Sequence, residues 1–347
     1  MTVLYGYYDH YQWGAEHPVE GNEPVLVDII EDALRQHNEM MAEMLRTFVS
    51  PVTTYQEYFQ PGSSGYLQEH DEYGRPLPTR LGPGWSVAYP MRLFGDNKGW
   101  TDIAIAKLTM GELSRQVSDA MAKDYRTMIQ QVRRAVFNSS NWTYTDEQYG
   151  SLTIRRLCNA DGMAIPDYYE DTFDGDTHTH YITSGAAALA DGDIKAAVDL
   201  LAEHGLNGDI RALFNKAQET AVKDLSDFTR TYPAKVDPGA TAAQAIGLAD
   251  PDAIGWCEDA EIALKPWIPA GYFFVYDAAG EPPLGMREET VARLRGFHLA
   301  AEEGVDAHYP LRNRFFRRLC GFGGRHRLNG VCVEITADAA YDDPTGI

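Results

Sequence analysis

The chain has 347 residues, of which 44% are hydrophobic, and its 51 acidic against 30 basic residues give a formal net charge of −21. That supplies a core for one large domain or two to three modest ones, in a soluble globular class. So acidic a surface repels polyanions, and tight sequence-independent nucleic-acid binding needs clustered Lys and Arg to displace counterions, so a nucleic-acid reader is discounted while a wall facing packed DNA without gripping it stays compatible.

The start, Met1-Thr2-Val3-Leu4-Tyr5-Gly6, has neither a basic run nor an apolar core, so a signal peptide is not expected. No stretch reaches the apolar length that spans a bilayer, and a cytosolic life is expected. The four cysteines, Cys158, Cys257, Cys320 and Cys332, are widely spaced without a C-x-x-C pair, which predicts free thiols in a reducing compartment. Residues 1–21 carry Tyr7 and Trp13 without a clean period. They suit either a strand on their own domain or an arm that docks on a neighbouring subunit.

Residues 22–48 predict a helix, with Asn22 as cap, Pro24 in the first turn, and Leu26, Ile30, Leu34, Met41, Leu45 and Phe48 along one stripe. Residues 52–100 change character. Pro61-Gly62-Ser63-Ser64-Gly65, Gly74-Arg75-Pro76 and Gly82-Pro83-Gly84 forbid helix, while Trp85, Val87 and Tyr89 alternate as in a strand. A two-stranded excursion this long cannot form its own core and must lie against its own domain or another chain.

Residues 109–137 give the strongest helix signal: Thr109 and Glu112 fit a capping box, and Leu113, Val117, Met121, Met128, Val132 and Val136 mark one face. At 1.5 Å per residue the helix would run roughly 40 Å, a structural strut. Further helices are predicted at 191–203, stopped by Gly205, and at 209–228, with Ile210, Leu213, Phe214, Ala217, Ala221 and Leu225 inward. Strands are expected at 153–154, 271–276 and 331–335, so the class is α+β.

Catalytic motifs are scarce. No phosphate-binding G-x-x-x-x-G-K-[ST], no strand-anchored G-x-G-x-x-G and no G-x-S-x-G occurs. Gly321-Phe322-Gly323-Gly324 reads as turn glycines, and Arg287-Glu288-Glu289 and Arg314 to Arg318 as solvated charge runs or inter-subunit ion pairs. The one metal-like cluster is Asp174, Asp176, His178 and His180, where two His at i and i+2 share a strand face. With no H-x-x-x-H and no Cys ligand pair beside it, local hydrogen bonding is the preferred reading, and His204 before Gly205 reads as a helix-end cation. No catalytic residue, cofactor or metal is therefore assigned.

Several stretches together resemble the major capsid proteins of tailed bacteriophages with the Hong Kong 97-type fold. They are Gly99-Trp100-Thr101-Asp102 before Thr109 and Glu112-Leu113, the helix end Ala135-Val136-Phe137, His178-Thr179-His180-Tyr181, and Glu203-His204-Gly205. Pro269-Ala270-Gly271-Tyr272, Pro283-Leu284-Gly285-Met286-Arg287-Glu288 and Leu328-Asn329-Gly330 continue the pattern, which covers about Tyr55 to Ile335. The resemblance implies an N-terminal arm (1–51), an extended β-hairpin loop (52–100), a peripheral domain (101–164) with spine helix 109–137, an axial domain (165–305) and C-terminal return strands (306–347). It implies no catalytic site. It implies a virion shell, built in the bacterial host cytoplasm from hexamers and pentamers of this chain around double-stranded DNA. A separate scaffolding protein, a portal and a decoration protein would be the other partners, and no membrane is involved.

In such a shell Tyr7, Trp13, Phe59, Tyr66, Tyr73, Arg75, Arg80, Trp85 and Arg92 would make inter-subunit contacts, because arm and loop lack partners of their own. With the loop beginning near Thr53, no fused, cleaved scaffold segment is expected. The loop also lacks a Lys from 52 to 97, so it has no nucleophile for the isopeptide cross-link of the fold's namesake. Two alternatives remain: the shell of an encapsulin-like nanocompartment loaded with an enzyme cargo, and a soluble metal-dependent enzyme using His178 and His180.

Overall fold

A computed structural model describes residues 23–59, 67, 69–70, 72–74, 84–101, 108–169, 171–230, 252–300 and 311–346. Tyr7, Trp13, Tyr66, Arg75, Arg80 and the expected cap Asn22 lie outside them.

The spine helix forms over Met110–Phe137, 28 residues or about 42 Å. Its capping box is present: the Thr109 hydroxyl accepts from the Glu112 amide at 3.3 Å, and the Thr109 amide donates to the Glu112 carboxylate at 3.0 Å. These bonds satisfy two backbone donors that the first turn leaves open. Val117, Met121, Met128, Val132 and Val136 are buried, as their spacing predicts. The N-terminal helix, Glu23–Leu45, buries Ile30, Leu34, Met41 and Leu45. Ile30 and Leu34 pack with Val117 and Met121, and Met41 and Leu45 with Met128 and Val132.

Two main sheets flank the spine. In the five-stranded sheet, Val49–Val52, Leu284–Glu288, Leu311–Gly324 and Phe297–Ala300 lie in that order, and Arg92–Thr101 also pairs with Leu311–Gly324. The stretch 92–100, expected within the loop, is thus a strand of this sheet, matched over ten positions from Leu311↔Thr101 to Cys320↔Arg92. The seven-stranded sheet runs Tyr181–Thr183, Val331–Glu334, Tyr272–Asp277, Ile210–Phe214, Ala260–Leu264, Ala253–Cys257 and Thr229–Arg230. The last strand therefore lies in the same sheet as Tyr181–Thr183, whereas Leu284–Glu288 and Phe297–Ala300, from segment 165–305, lie in the other. The C-terminal half of the spine joins both: Met128, Val132 and Val136 share a core with Phe274 and Cys332 of one sheet and Met286, Cys320 and Phe322 of the other.

The helix expected over 209–228 does not form. Ile210–Phe214 is a strand with all five residues buried, followed by a short turn and a helix of five residues, Glu219–Lys223. A strand with neighbours on both edges and cover on both faces presents an unbroken apolar run, which periodicity cannot distinguish from buried helix. Here Ala260–Leu264 and Tyr272–Asp277 hydrogen-bond to it on either side.

Glycines 321, 323 and 324 are not turn residues either. They sit inside Leu311–Gly324, where a Cβ at Gly321 would stand 2.1 Å from the Pro90 carbonyl, at Gly323 2.6 Å from that of Ala88, and at Gly324 2.7 Å from that of Arg156. Glycine is required because backbones cross there at contact distance.

One arginine of each charge run turns inward. Arg318 donates to the Asp124 carboxylate at 2.6 and 2.7 Å, and His37 Nε2 lies 2.8 Å from the same group. All three side chains are buried, so N-terminal helix, spine and sheet meet at one ion network. Arg287 reaches Asp146 at 3.1 Å and the Tyr89 carbonyl at 3.2 Å, again buried. All four cysteines are free and buried.

Candidate assembly surface and histidine cluster

Within segment 52–100, Gln56–Phe59 pairs antiparallel with Trp85–Ala88, Phe59 opposite Trp85. This pair is fastened to its own chain. Glu57 accepts from Tyr89 Oη at 2.8 Å and from Arg325 Nε at 3.1 Å. Phe59 packs edge-on against His326 at 5.1 Å, and Trp85 packs against the cluster of Cys158, Met163 and Ile165. Phe59 and Trp85, expected to need a neighbouring subunit, thus have partners within their own chain. Arg92 likewise reaches Gln131 at 3.3 Å and lies over the Phe94 ring at 5.4 Å. Tyr58 is largely exposed on the hairpin, and Leu67 and Tyr73, farther along, are almost fully exposed.

Lys98, the lysine nearest the loop, is held at its base: its amine donates to Asp119 on the spine at 2.7 Å and pairs with Asp96 at 3.1 Å. No helix among the described residues is long and apolar enough to cross a membrane.

The expected metal-like group splits in two. Asp174 and Asp176 occupy an exposed turn in which Asp174 caps the Asp176 amide at 3.0 Å. His178 and His180 turn the other way and meet His204 at the end of helix Asp191–Ala202. The three Nε2 atoms form a triangle with edges of 2.9 Å (178 to 204), 3.1 Å (180 to 204) and 3.2 Å (178 to 180). Cys158 offers its sulfur on the side of His178 and His180, within 4.8 Å of a ligand atom on each. Phe173 covers His178 at 5.0 Å and His204 at 4.5 Å.

Burial disfavours charge on all three imidazoles. It holds His178 below the ordinary histidine range and His180, wholly buried, well below it, with His204 adding repulsion there. Burial, then His178, brings His204 down to about 4. His204 therefore faces a buried cluster and is no solvated helix cap; its partners lie 24 and 26 positions upstream, where helix-end position alone gave no hint.

No protein-family model and no curated protein sequence matches this chain. Solved structures do. A chain of Mycobacterium phage Patience aligns with a TM-score of 0.70 and 22% identity over 92% of this chain and 90% of that one. A chain of the cyanophage A-1(L) capsid asymmetric unit gives 0.52 and 12% over 86% and 93%, and one from the capsid of a native GTA particle 0.50 and 11% over 84% and 89%. The fold is the Hong Kong 97-type capsid fold, as the sequence resemblance implied.

Proposed function

We propose that this chain is the major capsid protein of a tailed phage: copies close as hexamers and pentamers into an icosahedral head around double-stranded DNA. The observation that carries the reading is the correspondence with the Mycobacterium phage Patience chain, which covers 92% of this chain and 90% of that one. The exposed Tyr58, Leu67 and Tyr73 support it, since exposed apolar side chains suit contact with another copy. An acidic chain is consistent with a wall that holds DNA without gripping it. Scaffolding, portal and decoration proteins would be separate chains, the particle would assemble in the host cytoplasm, and the subunit's role is structural, without catalysis.

Cohesion in this reading is non-covalent. Between 52 and 97 there is no lysine, and the Lys98 amine is engaged by Asp96 and Asp119. The arginines of the loop stay protonated and cannot replace it as a nucleophile. Sedimentation of the purified protein should show capsomers or shells, and the same material boiled in detergent should run as one band at the monomer mass. A well-folded monomer at all concentrations would refute the reading. A covalent ladder that survives reductant would refute its non-covalent part.

A further inference from the structure

We propose that His178, His180 and His204 bind one zinc ion through their Nε2 atoms, with Cys158 Sγ as the fourth ligand, in a closed structural site. His180 Nδ1 lies 2.9 Å from the Gly330 carbonyl, which can only accept, so the proton of this neutral ring is on Nδ1 and Nε2 presents a lone pair. Three Nε2 atoms then stand within 3.2 Å of each other, and at most two of them carry hydrogen. If one does, two lone pairs still face each other. If His178 and His204 both do, their hydrogens collide across 2.9 Å. No set of neutral tautomers satisfies all three contacts, whereas a cation at the centre accepts every lone pair at once.

The nitrogen spacing agrees, and the Cys158 sulfur, grouped with His178 and His180, would close in as the fourth ligand. Zinc–nitrogen bonds of about 2.0–2.1 Å in a tetrahedron put nitrogens about 3.3–3.4 Å apart, within a few tenths of an ångström of the observed edges. A neutral imidazole set with one sulfur is a ligand group that zinc favours, and Asp174 and Asp176, which suit harder cations, point elsewhere. The Gly330 carbonyl supplies the outer hydrogen bond that fixes a ligating imidazole. His204 sits at the C-terminal end of a 12-residue helix, where the dipole favours a cation. Arg327, the nearby buried cation, is paired with Asp161 at 3.0 Å. On binding, zinc replaces the thiol proton of Cys158, which leaves to solvent, and the thiolate lowers the net charge of the site.

Phe173, with Met163 and Ile165 beside Cys158, closes the site, so the zinc would be a staple and not a catalyst. It would tie the loop at 158, the lead into Tyr181–Thr183 and the end of helix Asp191–Ala202, segments that no disulfide joins.

The test uses the full-length protein in whatever assembly it forms, dialysed with zinc, washed, and analysed by elemental mass spectrometry. About one zinc per subunit is expected. His178→Gln and His204→Gln, which keep hydrogen-bonding capacity, should each weaken binding at least about ten-fold. Cobalt(II) exchanged into the wild type should give the visible bands of a tetrahedral site with a thiolate charge-transfer band, the latter lost in Cys158→Ser. If a variant fails to fold, stripping the wild type with a chelator should lower its melting temperature and zinc should restore it. Less than about a tenth of a zinc per subunit, or metal retained in both histidine variants, would overturn the proposal.

Discussion

Asp124→Ala is expected to destabilise the subunit by about 3–5 kcal/mol, because it leaves the Arg318 guanidinium buried and uncompensated. Arg318 is 4% exposed and has two bonds to Asp124, and its other side-chain partner, Asn38 at 2.9 Å, carries no charge. Asp119→Ala, on the exposed face of the same helix, should cost no more than about 1 kcal/mol, although Asp119 pairs with both Lys98 and Lys123. Chemical denaturation of the unassembled subunit checks both values. The network also has a pH signature. Burial acts to raise the Asp124 pKa, but hydrogen bonds from His37 and Arg318, with the Arg318 charge, outweigh it and hold the carboxyl below its ordinary range. A depressed folded pKa contributes stability that is present above the unfolded value of about 3.9 and lost as pH falls through the folded one. Acid should therefore erode the wild type's advantage over Asp124→Ala only below about pH 4.

Phe274→Ala should cost about 3–5 kcal/mol, at the upper end for a core truncation. Its ring is fully buried, stacks on Tyr276 at 5.4 Å and backs onto Gly330, where a Cβ would come within 2.9 Å of it. It belongs to the core that joins the spine to both sheets, so the cavity opens where no single element can collapse to fill it. Phe274→Leu should recover most of the loss, and denaturation of the two variants side by side measures it. Equal stability of Phe274→Ala and the wild type would mean that the sheets do not meet the spine there.

The sequence made the spine legible because its information is local: a capping box at its start and apolar positions at helical spacing lie within one continuous stretch. The strands Tyr272–Asp277 and Val331–Glu334 were legible for the same reason. What failed was non-local. Ile210–Phe214 is a strand because of neighbours some fifty or more positions away in the chain, and its own apolar run fits helix equally well. Arg318 looks like part of a solvated charge run until Asp124, 194 positions earlier, is placed beside it. The glycines near 321 looked like turns because what excludes a side chain there is the backbone at Ala88, Pro90 and Arg156. The histidine cluster shows both sides. His178 and His180 drew notice by their spacing, but the third corner, His204, and the sulfur of Cys158 come from other segments, and the acidic neighbours in sequence proved irrelevant in space.

Shell formation is tested most directly by negative-stain electron microscopy of the full-length protein expressed alone and together with its neighbouring phage genes. Closed icosahedral particles are expected, or free pentamers and hexamers that close when those genes are supplied. Dispersed monomers under both conditions, from protein that is otherwise folded, would contradict it.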